Sequence, residues 1–189
     1  LSLTFHNLAT GANGQRQALY LENVPGFAGR ILRNFDITGE DTALVISSSG
    51  TSVVPVEMAE ELQGKGGKGV AMGSKTHSEA SSAKREDGMK LTDFADLVLD
   101  TGAPAGDAAV SVEGLAEKVA PLSTVGGAIL VNAIKAEVAE RLVKGGAPPK
   151  VLAAACMVGA ERSSELFEGA YDEHSRRMAK LYENLGTNS

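Results

Sequence analysis

The sequence has no tryptophan, a single cysteine and few aromatic residues of any kind. Aromatic side chains make up 4% of the 189 residues, so the core has to be built from Ala, Val, Leu and Ile, as it is where helices pack on a sheet. The lone Cys156 excludes an internal disulfide and is typical of a reducing compartment, which predicts a cytoplasmic protein. Because Cys156 lies in the apolar run 151–158, we expect it to be a small buried hydrophobic residue.

Positive charge is also scarce. The chain has 18 Lys and Arg against 24 Asp and Glu, a formal net charge of −6. The only dense basic pair, Lys84-Arg85, is followed at once by Glu86-Asp87. A nucleic-acid-binding domain needs a basic face, so we expect no nucleic-acid partner. No apolar run reaches the roughly 18 residues of a membrane span, so we expect no membrane partner either.

The chain begins with Leu1 rather than Met, inside the short apolar run 1–5, which has the character of a strand. We therefore expect that N-terminal sequence is missing before it. Residues 18–35 carry apolar side chains at helical spacing, and Pro25 with Gly26 is expected to interrupt or start that helix.

Three further apolar runs, 42–46, 68–72 and 95–100, have the length of strands, and 53–63 has the spacing of a helix. The run 42–46 is continuous, which predicts a strand buried on both faces. The segment 74–88, before the third run, is polar. Strands that alternate with helices predict an α/β fold with a parallel sheet and right-handed crossovers.

The second half of the chain has a different pattern. Within 101–121, the stretches 108–112 and 118–120 are either two short extended pieces or parts of a long ordered loop. The longest predicted helix, 123–144, is apolar almost all round, so it is either central in the fold or half of a subunit interface. A charged amphipathic helix is predicted over 161–185.

The segment between the strand 42–46 and the helix 53–63 predicts an anion site. A helix that follows a parallel strand presents unpaired N–H groups and the positive end of its dipole at the sheet edge where α/β proteins bind ligands. One hydroxyl is enough to cap a helix, whereas this segment has five around a glycine that lets the backbone approach a ligand. A P-loop lysine and a dinucleotide-type glycine pattern are both lacking, so we expect a phosphate monoester and no cofactor. The predicted phosphate-binding residues are Ser47, Ser48, Ser49, Gly50, Thr51 and Ser52.

More hydroxyl side chains are expected at the same edge. Ser74 follows the second predicted strand, and Ser123 with Thr124 begins the long helix. The pair at the long helix either caps it or lies where N–H groups meet the sugar of the ligand, and both interpretations stay open.

These residues resemble the SIS (sugar isomerase) domain family, whose phosphate loop has the pattern Ser-x-Ser-Gly-x-Ser/Thr after a buried strand. Ser47, Ser49, Gly50 and Ser52 match that pattern. Other segments are similar to a subgroup whose members are labelled phosphoheptose isomerase or sugar isomerase domain-containing protein. They are Leu3-Thr-Phe-His6-Asn7, Leu21-Glu22, Ile46-Ser-Ser-Ser-Gly50, His77-Ser78, Gly102-Ala103-Pro104-x-Gly106-Asp107-Ala108, Ser123-Thr124-Val125 and Pro148-Pro149.

The resemblance implies a three-layer α-β-α sandwich with a central parallel sheet of five strands, flavodoxin-like, in a homodimer or higher homo-oligomer with active sites near the subunit interface. It divides the chain into an SIS domain over 1–159 and an amphipathic helix over 160–189 that packs on the domain or on a partner subunit. The family's Gly-x-Gly-His-Ser-like loop and the helix that follows it are not found in this sequence, which agrees with missing N-terminal sequence.

By matching position, the resemblance also implies roles for individual residues. Ser47, Ser49 and Ser52 would hold the phosphate of a phosphorylated sugar, and Ser123 and Thr124 would contact the sugar. The implied activity is aldose–ketose isomerisation of a heptose or hexosamine phosphate. A non-catalytic sugar-phosphate sensor and a lyase or etherase acting on an amino-sugar phosphate are the alternatives, and the fold does not choose among them.

Isomerisation needs a base near neutrality and an acid, for which Glu and His are the usual choices. The candidates are His6, after the first strand, His77, after a later strand, and Glu113, in the irregular segment. A loop-stabilising hydrogen bond for His6 and an ion pair with a nearby lysine for Glu113 are the structural alternatives. His174 is expected on a solvated helix face, and Glu22 either caps a helix or reaches across a dimer. Scattered His and one Cys predict no metal site.

Overall fold

The computed structural model of the protein describes residues 14–183. The elements alternate between helix and strand up to residue 100, and the remainder is a short hairpin followed by helices. In chain order they are α1 (Gln15–Leu21), α2 (Phe27–Leu32), β1 (Thr42–Ile46), α3 (Val53–Gly64), β2 (Lys68–Gly73), α4 (Lys75–Ala80), a 3₁₀ helix (Leu91–Phe94), β3 (Leu97–Asp100), β4 (Ala108–Val110), β5 (Val119–Pro121), α5 (Ser123–Lys144), α6 (Ala155–Val158) and α7 (Ala160–Glu183).

The first three strands form one parallel sheet in the order β1-β2-β3. Thr42 lies opposite Lys68 at the start of the first pair, and Met72 lies opposite Leu99 in the second. The three predicted strands and the parallel α/β class are therefore confirmed. Of the five strands that the resemblance implies, residues 14–183 hold three in this sheet. The predicted strand 1–5 lies outside the described residues.

A cluster of buried core residues lies on one face of this sheet. Val56 and Ala59 of α3 pack with Ala71 of β2 and with Leu91, and all four are buried. Val45 of β1 packs against this cluster. Small aliphatic side chains thus make the core, as the scarcity of aromatic residues predicts.

Strand β1 is not buried on both faces in the described chain, so that prediction was wrong. Its residues alternate between half-buried and exposed, and Leu44 and Ile46 are 39% and 55% exposed. Successive side chains of a strand point to opposite faces of the sheet. Helix α3 covers the face of Val45, and the face of Leu44 and Ile46 is left accessible.

The predicted helix over 18–35 is two helices that part at Pro25 and Gly26, as expected. Gly26 has a left-handed backbone with φ of 74° and is the N-cap of α2. The polar segment 74–88 contains a helix that apolar spacing did not reveal, α4, because its N-terminal cap at Ser74 rather than an apolar face defines it. The two extended pieces after residue 101 pair as an antiparallel hairpin, β4 with β5.

The described residues fall into two compact units, 14–33 with 37–130, and 34–36 with 131–183. Helix α5 begins and ends at the predicted residues. Gly127 is its only buried residue in the described chain, and Val125 and Ile129 are more than half exposed. In the described chain, α5 is therefore not a central, buried helix.

Cys156 is exposed, so the expectation that it is buried was wrong. It lies on the four-residue helix α6, where Met157 beside it is 81% exposed. The apolar run 151–158 is therefore part of the accessible surface of its unit, because apolar character alone does not place a segment in the core. Within residues 14–183, no helix combines the length and the apolar character that a membrane span requires.

Candidate functional site

The candidate site is the turn from β1 to α3, residues 47–52, which we call the serine loop. Parallel hydrogen bonding continues past the strands into this turn: the Ser47 N–H donates to Met72 O at 2.9 Å, and the Ser74 N–H donates to Ser48 O at 2.9 Å. A Cβ at Gly73 would lie 2.3 Å from Ser47 O, so only glycine allows this contact. The serine loop is thereby held against the end of β2.

Hydrogen bonds within the loop fix its curvature. The Gly50 N–H donates to Ser47 Oγ at 3.2 Å, and the hydroxyls of Ser49 and Thr51 lie 2.8 Å apart. Gly50 has φ of +65°, the left-handed region that favours glycine. Its carbonyl accepts the Leu91 N–H at 2.8 Å, and a Cβ at Gly50 would lie 3.3 Å from Leu91 Cβ. The predicted glycine is thus required by the backbone and by the residue packed on it.

Several N–H donors of the loop have no acceptor within the described part of the chain. They belong to Ser48, Ser49, Ser52 and Val53. The helix that starts here, α3, has 12 residues, and its dipole adds positive potential at this end. Unpaired N–H groups at the start of a helix after a parallel strand are the donors that an anion needs. The geometry therefore fits the predicted anion site.

Ser52 is the N-cap residue of α3, but its hydroxyl does not cap that helix. It donates to Glu22 Oε1 at 3.0 Å and lies 3.5 Å from Lys84 Nζ. The Glu22 carbonyl in turn accepts the Val54 N–H at 2.9 Å. Ser52 is 6% exposed, so a carboxylate and an ammonium group meet at a nearly buried hydroxyl. Glu22 is also the C-cap residue of α1, with its N–H donating to Ala18 O at 3.0 Å, so its backbone caps that helix while its side chain contacts the loop.

His77 is the candidate acid–base residue that the structure brings to the loop. Its Nδ1 lies 3.3 Å from Ser48 Oγ, and its backbone N–H donates to Ser74 Oγ at 3.1 Å. Ser74 also donates to Ala103 O at 2.6 Å and is 1% exposed. Ser74 therefore lies at the predicted edge, but its hydroxyl is occupied by the hydrogen bonds that cap α4 and hold the Ala103 segment.

Ser123 is held by Asp107, which sequence reasoning did not single out as a site residue. The Ser123 hydroxyl donates to Asp107 Oδ2 at 2.7 Å, and its N–H donates to Oδ1 at 2.6 Å. The hydroxyl of Ser123 lowers the pKa of the Asp107 carboxyl, burial opposes this, and the backbone N–H groups of Ser123 and Leu122 add to it. Asp107 thus holds the start of α5. Thr124, next in the same helix, is exposed.

Glu113, among the described residues of the unit that holds the loop, makes no hydrogen bond to the loop. Glu113 is exposed beyond strand β4, and among residues 14–183 it has no hydrogen bond or ion pair. His174 is exposed on α7, as expected. His6 lies outside the described residues. No group of three His, Cys, Asp or Glu within the described residues is arranged to hold a metal ion.

Sequence reasoning missed Lys84 because it belongs to a basic pair that two acidic residues follow. In the structure Arg85 pairs with Asp87, one of those two, and with Glu60 of α3, while Lys84 faces the loop. A small pocket opens at this edge. It is lined by Ser47, Ser48, Ser49, Gly50, Ala71, Met72, Gly73, Ser74, Lys75, Ser78, Leu91, Thr92 and Val98.

Known proteins with similar sequences identify the family to which the serine loop belongs. The sequence profile of the SIS domain matches residues 2–74, which include the whole serine loop. A UPF0309 protein of Brucella abortus is 34% identical over 88% of this chain and 67% of its own length. The chain belongs to the SIS domain family. UPF0309 proteins of Halalkalibacterium halodurans and Brucella anthropi are 35% and 37% identical over 77% and 82% of this chain.

The SIS domain fold is an α/β sandwich around a parallel sheet, and β1 to β3 form such a sheet with α3 on one face. The serine loop, whose N–H donors of Ser48, Ser49, Ser52 and Val53 lack an acceptor among residues 14–183, lies within the segment that matches the SIS domain. The chain spans 60% and 62% of the lengths of the relatives from Halalkalibacterium halodurans and Brucella anthropi.

Proposed function

We propose that the protein binds a phosphorylated sugar with its serine loop and interconverts the aldose and ketose forms of that sugar. The observation that carries the binding step is the set of N–H groups of Ser48, Ser49, Ser52 and Val53, before and at the start of α3, that lack an acceptor among residues 14–183. Hydroxyls between them add neutral donors with little bulk. A phosphate monoester matches such a site because its oxygens accept several hydrogen bonds at once.

The proposed chemistry is a proton transfer between adjacent carbons through an enediol. A base removes the proton from C2 of the aldose and returns it to C1. A second proton moves to O1, from O2 in a heptose phosphate or from N2 in a hexosamine phosphate, which then gives the imine of the ketose, so no atom is gained or lost. His77 is the candidate for this role, since its Nδ1 lies 3.3 Å from Ser48 Oγ and Nε2 has no hydrogen-bond partner among residues 14–183. His6 and Glu113 stay further candidates for the acid or second base, and a heptose or hexosamine phosphate is the proposed substrate class.

The proposed assembly is a homodimer in the cytoplasm. Helix α5 supports it, because its exposed apolar side chains, Val125, Ile129, Val138 and Val143, lack cover in the described chain. The I129E variant should lower the association state measured by light scattering. An unchanged association state would argue against α5 as the interface. The single free cysteine fits the cytoplasmic location.

A non-catalytic sugar-phosphate sensor is the second candidate. It is favoured by the position of Glu113, which is exposed and without hydrogen-bond partners among residues 14–183. The residues that would hold the phosphate are thus better supported by contacts than those that would move a proton.

One experiment separates the two functions. The full-length protein is incubated in D₂O with a panel of heptose and hexosamine phosphates, and deuterium at C2 is followed by NMR. The isomerase proposal expects exchange with at least one sugar, and a His77→Gln variant with a much lower rate and a similar Kd. If no sugar exchanges while one of them raises the thermal midpoint, the sensor is favoured instead.

A further inference from the structure

Lys84 lies against the serine loop although it is 32 positions from Ser52 in the sequence. Its Nζ is 3.5 Å from Ser52 Oγ. The loop itself has no charged side chain, and among residues 14–183 Lys84 is the cation whose side chain makes a hydrogen bond to it. Lys75 lines the pocket nearby, but its side chain has no hydrogen bond or ion pair within the described residues.

The neighbours of Lys84 hold it in this place. Arg85 is anchored on α3 by Glu60 at 2.6 Å and bonds Asp87 at 2.6 Å, and its guanidinium lies 5.5 Å from the centroid of the Phe94 ring. Leu91, where the segment ends, donates its N–H to the Gly50 carbonyl of the loop at 2.8 Å. Residue 84 is thus carried on a turn that is tied to the loop and to the helix that follows it.

The negative charge of Glu22 next to Ser52 is the reason that the positive charge of Lys84 matters for phosphate binding. Glu22 Oε1 lies 3.0 Å from Ser52 Oγ, and the protein has a net charge of −6. A phosphate monoester carries close to two negative charges at neutral pH. Bound at the N–H groups of Ser52 and Val53, it lies close to the Glu22 carboxylate, and like charges at short range repel. A nearby ammonium group offsets that repulsion.

We propose that Lys84 is a phosphate-binding residue of this site, and that Glu22 makes phosphate binding depend on it. The proposal rests on the proposed function, because it assumes that the serine loop holds a phosphate. On binding, the ammonium group bonds a phosphate oxygen. A ligand with a charged phosphate is thereby favoured over its neutral, dephosphorylated form.

The test is calorimetric titration of the full-length protein with inorganic phosphate at low salt. K84M should raise Kd about tenfold or more, since a charge-assisted hydrogen bond is lost, and K84R should recover most of the affinity. K65M is the matched control, because Lys65 is exposed at the far end of α3 and has no ion pair among residues 14–183. Its Kd should equal that of the wild type.

A substitution of Glu22 provides the second part of the experiment. Since the carboxylate repels the phosphate most when Lys84 is absent, E22Q should lower Kd more in the K84M background than in the wild type. Equal effects in both backgrounds would overturn the dependence between these residues. Equal Kd values for K84M and K65M would overturn the role of Lys84.

The loop variant S49A distinguishes failure of this inference from failure of the proposed function. If S49A weakens phosphate binding and K84M does not, the phosphate site stands and the inference about Lys84 is wrong. If the wild-type protein does not bind inorganic phosphate, both are wrong. Circular dichroism and thermal midpoints of K84M and K65M should match, because both side chains belong to exposed residues.

Discussion

Two turns at the same edge of the sheet carry serine, and they use it differently. After β2, Ser74 caps its own helix: its Oγ accepts the His77 N–H and donates to Ala103 O. After β1, Ser52 leaves its helix uncapped and donates to Glu22 instead. In the first turn the serine hydroxyl accepts a backbone N–H of its own helix, whereas in the second the N–H groups of Ser48, Ser49, Ser52 and Val53 have no acceptor among residues 14–183.

The difference shows that residue type alone does not make an anion site. The helix after Ser74 has six residues and its first turn is closed by the serine side chain. The helix after Ser52 has 12 residues, and Pro55 in its first turn has no N–H to satisfy. The two turns differ in what the serine hydroxyl bonds. The hydroxyl of Ser52 donates to the carboxylate of Glu22, which lies 30 positions away in the sequence.

The largest effect is expected where the two turns touch. Gly73→Ala places a Cβ 2.3 Å from Ser47 O, so β2 or the serine loop has to shift, which should cost about 3 kcal/mol or more of unfolding free energy. Urea denaturation measures it. Gly64→Ala, at the end of α3 with no atom within 4 Å of the new Cβ, is the control and should be neutral or slightly stabilising. Equal stabilities would contradict the close contact.

The next effect separates binding from stability. Ser49→Ala and Ser52→Ala should each weaken phosphosugar binding by about 1–3 kcal/mol, as expected for donors to a charged group. Ser74→Ala should instead lower the unfolding free energy, because the buried carbonyl of Ala103 loses its partner, and leave the Kd of folded protein nearly unchanged. Titration calorimetry and urea denaturation of the three variants decide. Unchanged Kd in both loop variants would reject the site.

A smaller, pH-dependent effect is expected at Asp107. Asp107→Asn weakens the hydrogen bonds to Ser123 and should cost about 1 kcal/mol, as losses of helix caps do. Because the pKa of the Asp107 carboxyl is lowered on folding, chiefly by the Ser123 hydroxyl, its contribution is full above about pH 4 and is lost as the pH falls through the folded pKa. The gap in thermal midpoint between wild type and variant should therefore shrink in acid. A gap independent of pH would show that the charge of Asp107 does not matter.

The smallest effect is expected at the opposite edge of the same strands. Lys68 and Asp96 form an ion pair of 2.9 Å there, with the lysine side chain 70% exposed. Lys68→Met should change the unfolding free energy by less than about 0.5 kcal/mol, since exposed pairs are screened by water and salt. Phosphate binding should not change, and a change would mean that the site extends beyond the loop edge. Urea denaturation and titration calorimetry provide both values.

Sequence patterns predicted the strands of the parallel sheet correctly, whereas the phosphate-binding and acid–base roles stay predictions. The run at 42–46 and the hydroxyl-rich turn after it are local features, and the structure has a strand there, followed by N–H donors that lack an acceptor among residues 14–183. The burial of β1 and of Cys156 was predicted wrongly. Both depend on which element covers a segment, and apolar character does not reveal that.

The sequence by itself determined the order of elements, the glycine that the loop needs and the family, because each is written in neighbouring residues. Only the tertiary structure decided which side chains meet at the loop. Glu22, His77 and Lys84 are 29 to 32 positions from the serines they contact. The packing of separate elements brings Glu22 and His77 to the loop, and the ion pairs of Arg85 with Glu60 and Asp87 hold the neighbouring Lys84 there. Local propensity does not encode such contacts, since they depend on how separate elements pack.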